Sequence, residues 1–108
     1  GALSMKDIGH FFSNKNLKWK NANSKKFIEF CAKHLREKYF RIINLDINFI
    51  CERPNISKVS SKMKKNLSLL LNISSNQISI KATTNEKISF IGKGEGIAAE
   101  SIVQIAND

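Results

Sequence analysis

Lys81-Ala82-Thr83-Thr84-Asn85-Glu86-Lys87 sets two adjacent hydroxyls and a carboxylate just past an alternating apolar run. A glycine-punctuated stretch, Phe90-Ile91-Gly92-Lys93-Gly94-Glu95-Gly96-Ile97-Ala98-Ala99, follows closely. Hydroxyls, backbone N–H groups and a carboxylate that can hold a divalent cation are what a diphosphate needs. Read for structure alone, T-T-x-E after a strand starts a helix, with Thr as N-cap and the acid near the first-turn amides. The two readings are compatible, because a helix N-terminus is also an anion site. Gly92 to Gly96 lacks the spacing of either common phosphate loop, so it reads as a tight turn. Asp7-Ile8-Gly9 by itself reads as a turn as well. His10 and His34 are far apart with no obvious third ligand; His34 is expected on a helix surface and His10 in a loop near the site. Cys31 and Cys51 are too few and too distant for a zinc knuckle or a redox C-x-x-C. Both sit on apolar faces and are expected as buried free thiols, which fits a reducing compartment.

Four segments together resemble the 2-C-methyl-D-erythritol 2,4-cyclodiphosphate synthase family. Lys81 to Ala98 is similar to its K-A-T-T-x-E-x-x-x-F-x-G-R-x-E-G-I-A pattern. Asp7-Ile8-Gly9-His10-Phe11-Phe12 resembles G-D-I-G-H-F-F, and Lys18-Trp19-Lys20-Asn21-Ala22-Asn23-Ser24 resembles K-W-K-G-A-D-S. Ile50-Cys51-Glu52-Arg53-Pro54 resembles the I-x-x-x-x-P-K loop. The segments keep the family's order, and the resemblance covers nearly the whole chain. It does not cover the whole family. The leading segment, with its D-x-H motif and a later metal-binding histidine, has no counterpart, and Gly1 to Met5 looks like the end of the helix after it.

The resemblance implies site residues and partners. Thr83 and Thr84 would hold the phosphates, with Thr84 as the catalytic residue that stabilises the transition state. Ala82 and Asn85 flank them. Glu86 would help hold a magnesium or manganese ion that bridges the substrate's diphosphate. Cys51, Glu52, Arg53, Pro54, Asn55, Ile56 and Ser57 would form a cytosine pocket read largely by backbone groups, with Asn55 where the family has lysine. Asp7, Ile8 and Gly9 would approach the ribose or the erythritol. Phe12-Ser13-Asn14-Lys15-Asn16 stands where the family has F-P-D-T-D, without its two acids and proline. Phe90, Lys93 and Glu95 match positions near the threefold axis of a homotrimer, a site associated with isoprenoid diphosphates. Lys93 keeps the charge of the usual arginine but not its bidentate geometry. Active sites would lie between neighbouring subunits. The family's zinc ligands lie upstream of this chain's start, so no zinc ligand is assigned here.

The elements that must position these residues follow from periodicity. Residues 6 to 23 show no clean period and read as a long active-site loop. Ser24 is a plausible N-cap. The helix after it places Phe27, Ile28, Cys31, Leu35 and Tyr39 on one stripe. Ile43, Leu45, Ile47, Phe49 and Cys51 alternate with polar neighbours and predict a strand, which Pro54 stops. A second helix has Val59, Met63, Leu67, Leu70 and Leu71 inward and ends at Asn72. Gln77 to Thr83 alternates again. Gly96 to Ala106 fits helix or strand, and the alternation of Ile97, Ala99, Ser101, Val103 and Ile105 favours strand. The fold class is therefore α/β: one domain over residues 1–108, N-terminally incomplete relative to the family, with helices packed on one face of a mixed sheet. The strands around Leu45, Ile80 and Val103 should lie side by side.

Composition bounds the rest. The chain has 108 residues, 42% of them hydrophobic, and a net charge of +9. No apolar run approaches the ~20 residues of a membrane span, and no signal-peptide pattern is visible. The charge alone supports a rival reading, a basic α/β nucleic-acid-binding module. Against it, the lysines are spread over helices and loops, with no arginine cluster and no regular aromatic interleaving. The expected partners are a cytidine-diphosphate small molecule and two further copies of the chain, with neither nucleic acid nor membrane. The expected compartment is the cytoplasm or a plastid-type organelle. A catalytically inactive synthase fragment is the third reading.

Overall fold

Alternation from Phe40 onward gives strand β1 (Phe40–Ile50), the centre of a three-stranded sheet ordered β2-β1-β3. The computed structural model describes residues 1–52, 55–83 and 96–108. A single helical turn α1 (Ile8–Phe11), a 3-10 turn at Leu17–Trp19 and helix α2 (Lys25–Glu37) precede β1. A 3-10 turn at Ile56–Lys58, helix α3 (Ser60–Leu71) and a 3-10 turn at Ser75–Gln77 lead to β2 (Ile78–Thr83), and β3 (Ala98–Asn107) closes the chain.

β2 runs parallel to β1, with Leu45 opposite Ile78 and Ile50 opposite Thr83. A parallel neighbour requires a long crossover, and α3 supplies it. β3 runs antiparallel, with Leu45 opposite Val103 and Ile50 opposite Ala98. The sheet is thus mixed, and the strands around Leu45, Ile80 and Val103 are neighbours as expected. A register shift between Ile42 and Asn44 interrupts the β1–β3 ladder. The Gln77 amide compensates from the other side, its Nε2 donating to the carbonyls of Ile42 at 3.0 Å and Ile43 at 3.1 Å.

α2 packs on α3 and against β1, and α3 packs against β2. Among the described residues the apolar interior is small: Ala32, Cys51, Ile56 and Ile78 are buried. α3 ends as predicted, with Asn72 in the left-handed region and the Ile73 N–H donating to the Ser68 carbonyl at 3.1 Å.

Local expectations need correction in several places. Residues 6 to 23 are not one loop: α1 and the Leu17–Trp19 turn are ordered around an aromatic cluster. The Phe12 ring lies 4.7 Å from Trp19, 4.6 Å from Phe27 and 4.7 Å from Phe30, centroid to centroid. Ser24 makes no capping bond; the Asn23 side chain accepts from the Lys25 N–H instead, at 3.0 Å. Cys31 is exposed rather than buried, because it lines an open cavity together with Met5, Phe27 and Leu35 instead of packing into the core. Tyr39 is not on the helix stripe. α2 stops at Glu37, and Tyr39 takes φ 61° so that the chain can turn directly into β1, leaving the residue 75% exposed. His34 is half-buried rather than on the surface. Its ring lies 4.1 Å from that of Phe30, and Nδ1 donates to the Phe30 carbonyl at 3.1 Å.

Candidate functional site

The parallel pair sets the geometry of the site. β1 and β2 end level with each other, Ile50 opposite Thr83. The pairing continues one step, as the Cys51 N–H donates to the Thr83 carbonyl at 3.1 Å. Open α/β sheets bind ligands at the C-terminal ends of parallel strands, where diverging loops leave a crevice. Here the chain leaving β1 carries Cys51 to Ser57, and β2 ends on Ala82 and Thr83. Two of the groups expected to meet at one ligand are therefore brought together by the backbone.

The first loop is anchored from below and capped from above. Cys51 and Ile56 are buried, at 4% and 6% relative exposure, so their side chains pin the loop to the core. Asn55 starts the 3-10 turn. Its Oδ1 accepts from the Ser57 N–H at 3.1 Å and from the Ser57 hydroxyl at 2.6 Å. The Asn55 carbonyl accepts from Lys58 N–H at 3.2 Å. Asn55 is thus committed to shaping the loop, where a lysine would reach outward. Ala82 and Thr83 are exposed at the end of β2. Arg53 and Pro54 in the first loop, and Thr84, Asn85, Glu86, Phe90, Lys93 and Glu95 after the second, lie outside the described residues.

A second group, Asp7 to Asn16, sits elsewhere. Asp7 Oδ1 accepts from the His10 N–H at 3.0 Å and caps α1. Ser13 Oγ accepts from Lys15 N–H at 3.2 Å, and Asn16 Oδ1 accepts from Lys18 N–H at 3.0 Å. Asn14 and Lys15 are exposed. Phe12 turns into the aromatic cluster. A Cβ at Gly9 would meet nothing nearer than Asp7 Oδ1 at 3.7 Å, ordinary contact. Nothing among the described residues of the chain itself demands a glycine there.

The two groups face different spaces. Asp7 and Ile8 line an apolar cavity of about 390 Å³ with Phe11, Phe30, His34 and Val103. Ala82 and Thr83 line an open cleft of about 710 Å³ with Asp46, Asn48, Lys81 and Glu100. Within one copy, the described residues of the Asp7 group do not reach the Thr83 group.

Sequence reasoning missed the polar floor of that cleft. Lys81 Nζ lies 3.1 Å from Asp46 Oδ2, and Asn48 Nδ2 donates to Glu100 Oε1 at 3.2 Å. The signal was available: Asp46 and Asn48 alternate with Leu45, Ile47 and Phe49 and so had to face away from the helices. Among the described residues no group of three His, Cys, Asp or Glu side chains is placed to hold a metal ion, and none of their helices is long and apolar enough to cross a membrane. A zinc ion does not fit the residues described.

Comparison with known proteins places this arrangement. The chain is 45% identical over 103 residues to the bifunctional enzyme IspD/IspF of Wolbachia pipientis wMel, covering 95% of this chain and 26% of that protein. It is 43% identical over 103 residues to the 2-C-methyl-D-erythritol 2,4-cyclodiphosphate synthase of Xanthomonas axonopodis pv. citri (strain 306), spanning 62% of its length. The fold superposes on an IspF of Plasmodium falciparum, solved as a CDP complex, with a TM-score of 0.87 and 34% identity, over 99% of this chain and 64% of that one. It superposes on the bifunctional IspDF of Campylobacter jejuni with a TM-score of 0.93 and 34% identity, over 100% of this chain and 29% of that one. The family model described as YgbB matches residues 1–106, nearly end to end, and the chain belongs to the YgbB family.

Proposed function

We propose that this chain is the nucleotide-binding part of a 2-C-methyl-D-erythritol 2,4-cyclodiphosphate synthase. The observation that carries the reading is the junction of the Cys51 loop with the end of β2 through the Cys51–Thr83 hydrogen bond. It gives the base-reading loop and the phosphate-holding strand end a fixed separation. The likeness to a Plasmodium falciparum IspF solved with CDP supports a cytidine diphosphate as the ligand of that crevice.

The reaction is an intramolecular phosphoryl transfer. An oxygen of the substrate's 2-phosphate bonds to the β-phosphorus while the bond from that phosphorus to the bridging oxygen breaks, and CMP departs with the electron pair. The protein forms no covalent bond. Its work is to hold two mutually repelling anionic groups in line and to stabilise charge on the transferring group. Backbone groups of Cys51 to Ser57 would read the base, while Thr83 and Thr84 would donate to the phosphates. Glu86 would hold a magnesium or manganese ion, whose positive charge offsets that of the diphosphate. Asp7 and Gly9 would meet the sugar or erythritol end from a neighbouring copy. That arrangement accounts for the separation of the two groups within one chain and fits a homotrimer with sites between subunits.

Calorimetry with CDP and CMP tests the nucleotide site. CDP is expected to bind more tightly with magnesium than without it. Glu86→Gln should remove the magnesium dependence, a loss on the order of 1–3 kcal/mol for a charge-assisted contact. CMP binding should hardly change. Equal losses for both nucleotides would show that Glu86 supports the fold rather than the cation, and RNA binding in place of CDP would favour the basic nucleic-acid module.

A further inference from the structure

We propose that Lys58 is a cation of the base-reading wall and donates to the α-phosphate of a bound cytidine nucleotide. The inference rests on the nucleotide reading above and goes beyond it in naming a phosphate-binding side chain outside the Cys51–Ser57 loop.

The turn that ends the loop sets where Lys58 can go. Asn55 is the N-cap of the 3-10 turn, and Lys58 is the third residue of that turn. The same arrangement occurs a second time in the chain. Ser74 caps Ser75–Gln77, its Oγ accepting from the Asn76 N–H at 3.3 Å, as Asn55 Oδ1 accepts from the Ser57 N–H at 3.1 Å. There the third side chain bends back, and Gln77 Oε1 accepts from the Ser74 N–H at 2.9 Å. That reach from the third residue to the cap is the geometry of a capping box. Lys58 starts from the equivalent position but carries only donors. It cannot close the box on the Asn55 N–H, so the same path takes its ammonium past the cap toward the loop mouth. Asn55 itself is turned inward, its Oδ1 also accepting from the Ser57 hydroxyl at 2.6 Å.

Charge points the same way. Among the described residues of the two walls, 51–52, 55–58 and 82–83, only Glu52 and Lys58 are charged. Lys81, just before the end of β2, lies 3.1 Å from Asp46 Oδ2. Lys58 is exposed and makes no ion pair with a described residue. Its footing is firm: Ile56 is buried, and the turn packs against both β2 and α3. A compact ammonium with three rotatable donors on a flexible stem suits a phosphate better than the fixed edge of a base. The α-phosphate is the one attached to the nucleoside that the same loop reads. Lys58 therefore acts on CMP as well as on CDP, unlike a group that needs the β-phosphate.

Calorimetry with cytidine, CMP and CDP separates a contact from background charge. Lys58→Gln should weaken CMP and CDP alike by roughly tenfold, the size of one charge-assisted hydrogen bond, and leave cytidine unchanged. Lys58→Arg should keep most of the affinity. Lys62→Gln removes an exposed charge in α3 and should bind CMP as the wild type does. A measurement on the wild-type chain needs no variant to fold. Acetic anhydride should label Lys58 more slowly when CMP is present and at the same rate with cytidine, with Lys62 as the internal reference. Four results would each overturn the contact and leave the nucleotide site standing: equal losses for cytidine and CMP, a loss confined to CDP, an equal loss in Lys62→Gln, or CMP binding without protection of Lys58. A wild type that binds none of the three ligands overturns the nucleotide reading as well.

Discussion

Left-handed backbone separates the residues that fit their places from those that do not. Asn21 and Asn72 take φ 58° and 53°, and asparagine adopts this region at little cost. Asn21 stands where the resemblance to K-W-K-G-A-D-S has a glycine. Tyr39, at φ 61°, has a bulky side chain and no such excuse. Its ring is exposed and returns little packing. Tyr39→Gly should therefore stabilise the chain by about 1 kcal/mol, the left-handed penalty less the entropy cost of glycine. The midpoint of urea unfolding measures it, and a lower midpoint would mean the tyrosine ring makes contacts worth more than the strain. Asn55 works in the opposite sense. Asn55→Ala removes both bonds to Ser57 and should cost about 1 kcal/mol of stability. On the proposed function it should also weaken CMP as well as CDP, because the base-reading loop loses its shape; unchanged CMP affinity would detach Asn55 from the site. Gly9→Ala is expected to leave stability unchanged and to impair only substrate binding, which pairs a melting curve with a substrate titration.

At the scale of elements, what depended on periodicity was legible. β1, β2 and β3 appear where alternation put them, and so do both long helices. What was not legible was the stretch before α2. Its order comes from rings meeting across the chain, Phe12 with Phe27, Phe30 and Trp19, and no window of sequence holds that information. The end of α2 was missed for a related reason: Tyr39 continues the apolar stripe, but the connection to β1 has no residue to spare, so topology overrides the helix pattern. Of the candidate site, the Cys51 and Ala82 groups could be joined because both follow predicted strands. The use of Asn55 as a cap was written in Asn55-x-Ser57 but competes there with an outward contact to ligand. The cluster makes its own prediction. Phe12→Ala should cost about 2 kcal/mol, below the 3–5 typical of a fully buried phenylalanine because the ring is half-buried. It should free residues 7–16 to exchange amide protons faster while the β1–β2 end keeps its protection. Uniform loss of protection would instead make the chain one cooperative unit.

As a whole molecule the chain is a slab. Its extents are 43 × 37 × 23 Å and its radius of gyration is 15.4 Å, against about 13 Å for a compact chain of this length. Among the described residues two layers, one of helices and one of sheet, leave a face of the sheet without cover. Ile102→Glu on that face is expected to shift light scattering toward the monomer without lowering the secondary structure seen by circular dichroism. Retention of the assembled mass would mean that the face is not where copies meet. The slab also carries its own optical reporter. Trp19 is the chain's single tryptophan, it is half-buried, and it stands edge-on to Phe12 beneath the Lys18 ammonium, 4.9 Å above its ring. Its fluorescence therefore reports one end of the molecule alone. An emission change that precedes the loss of far-ultraviolet ellipticity would show the N-terminal turn undocking from α2 while the sheet is still intact.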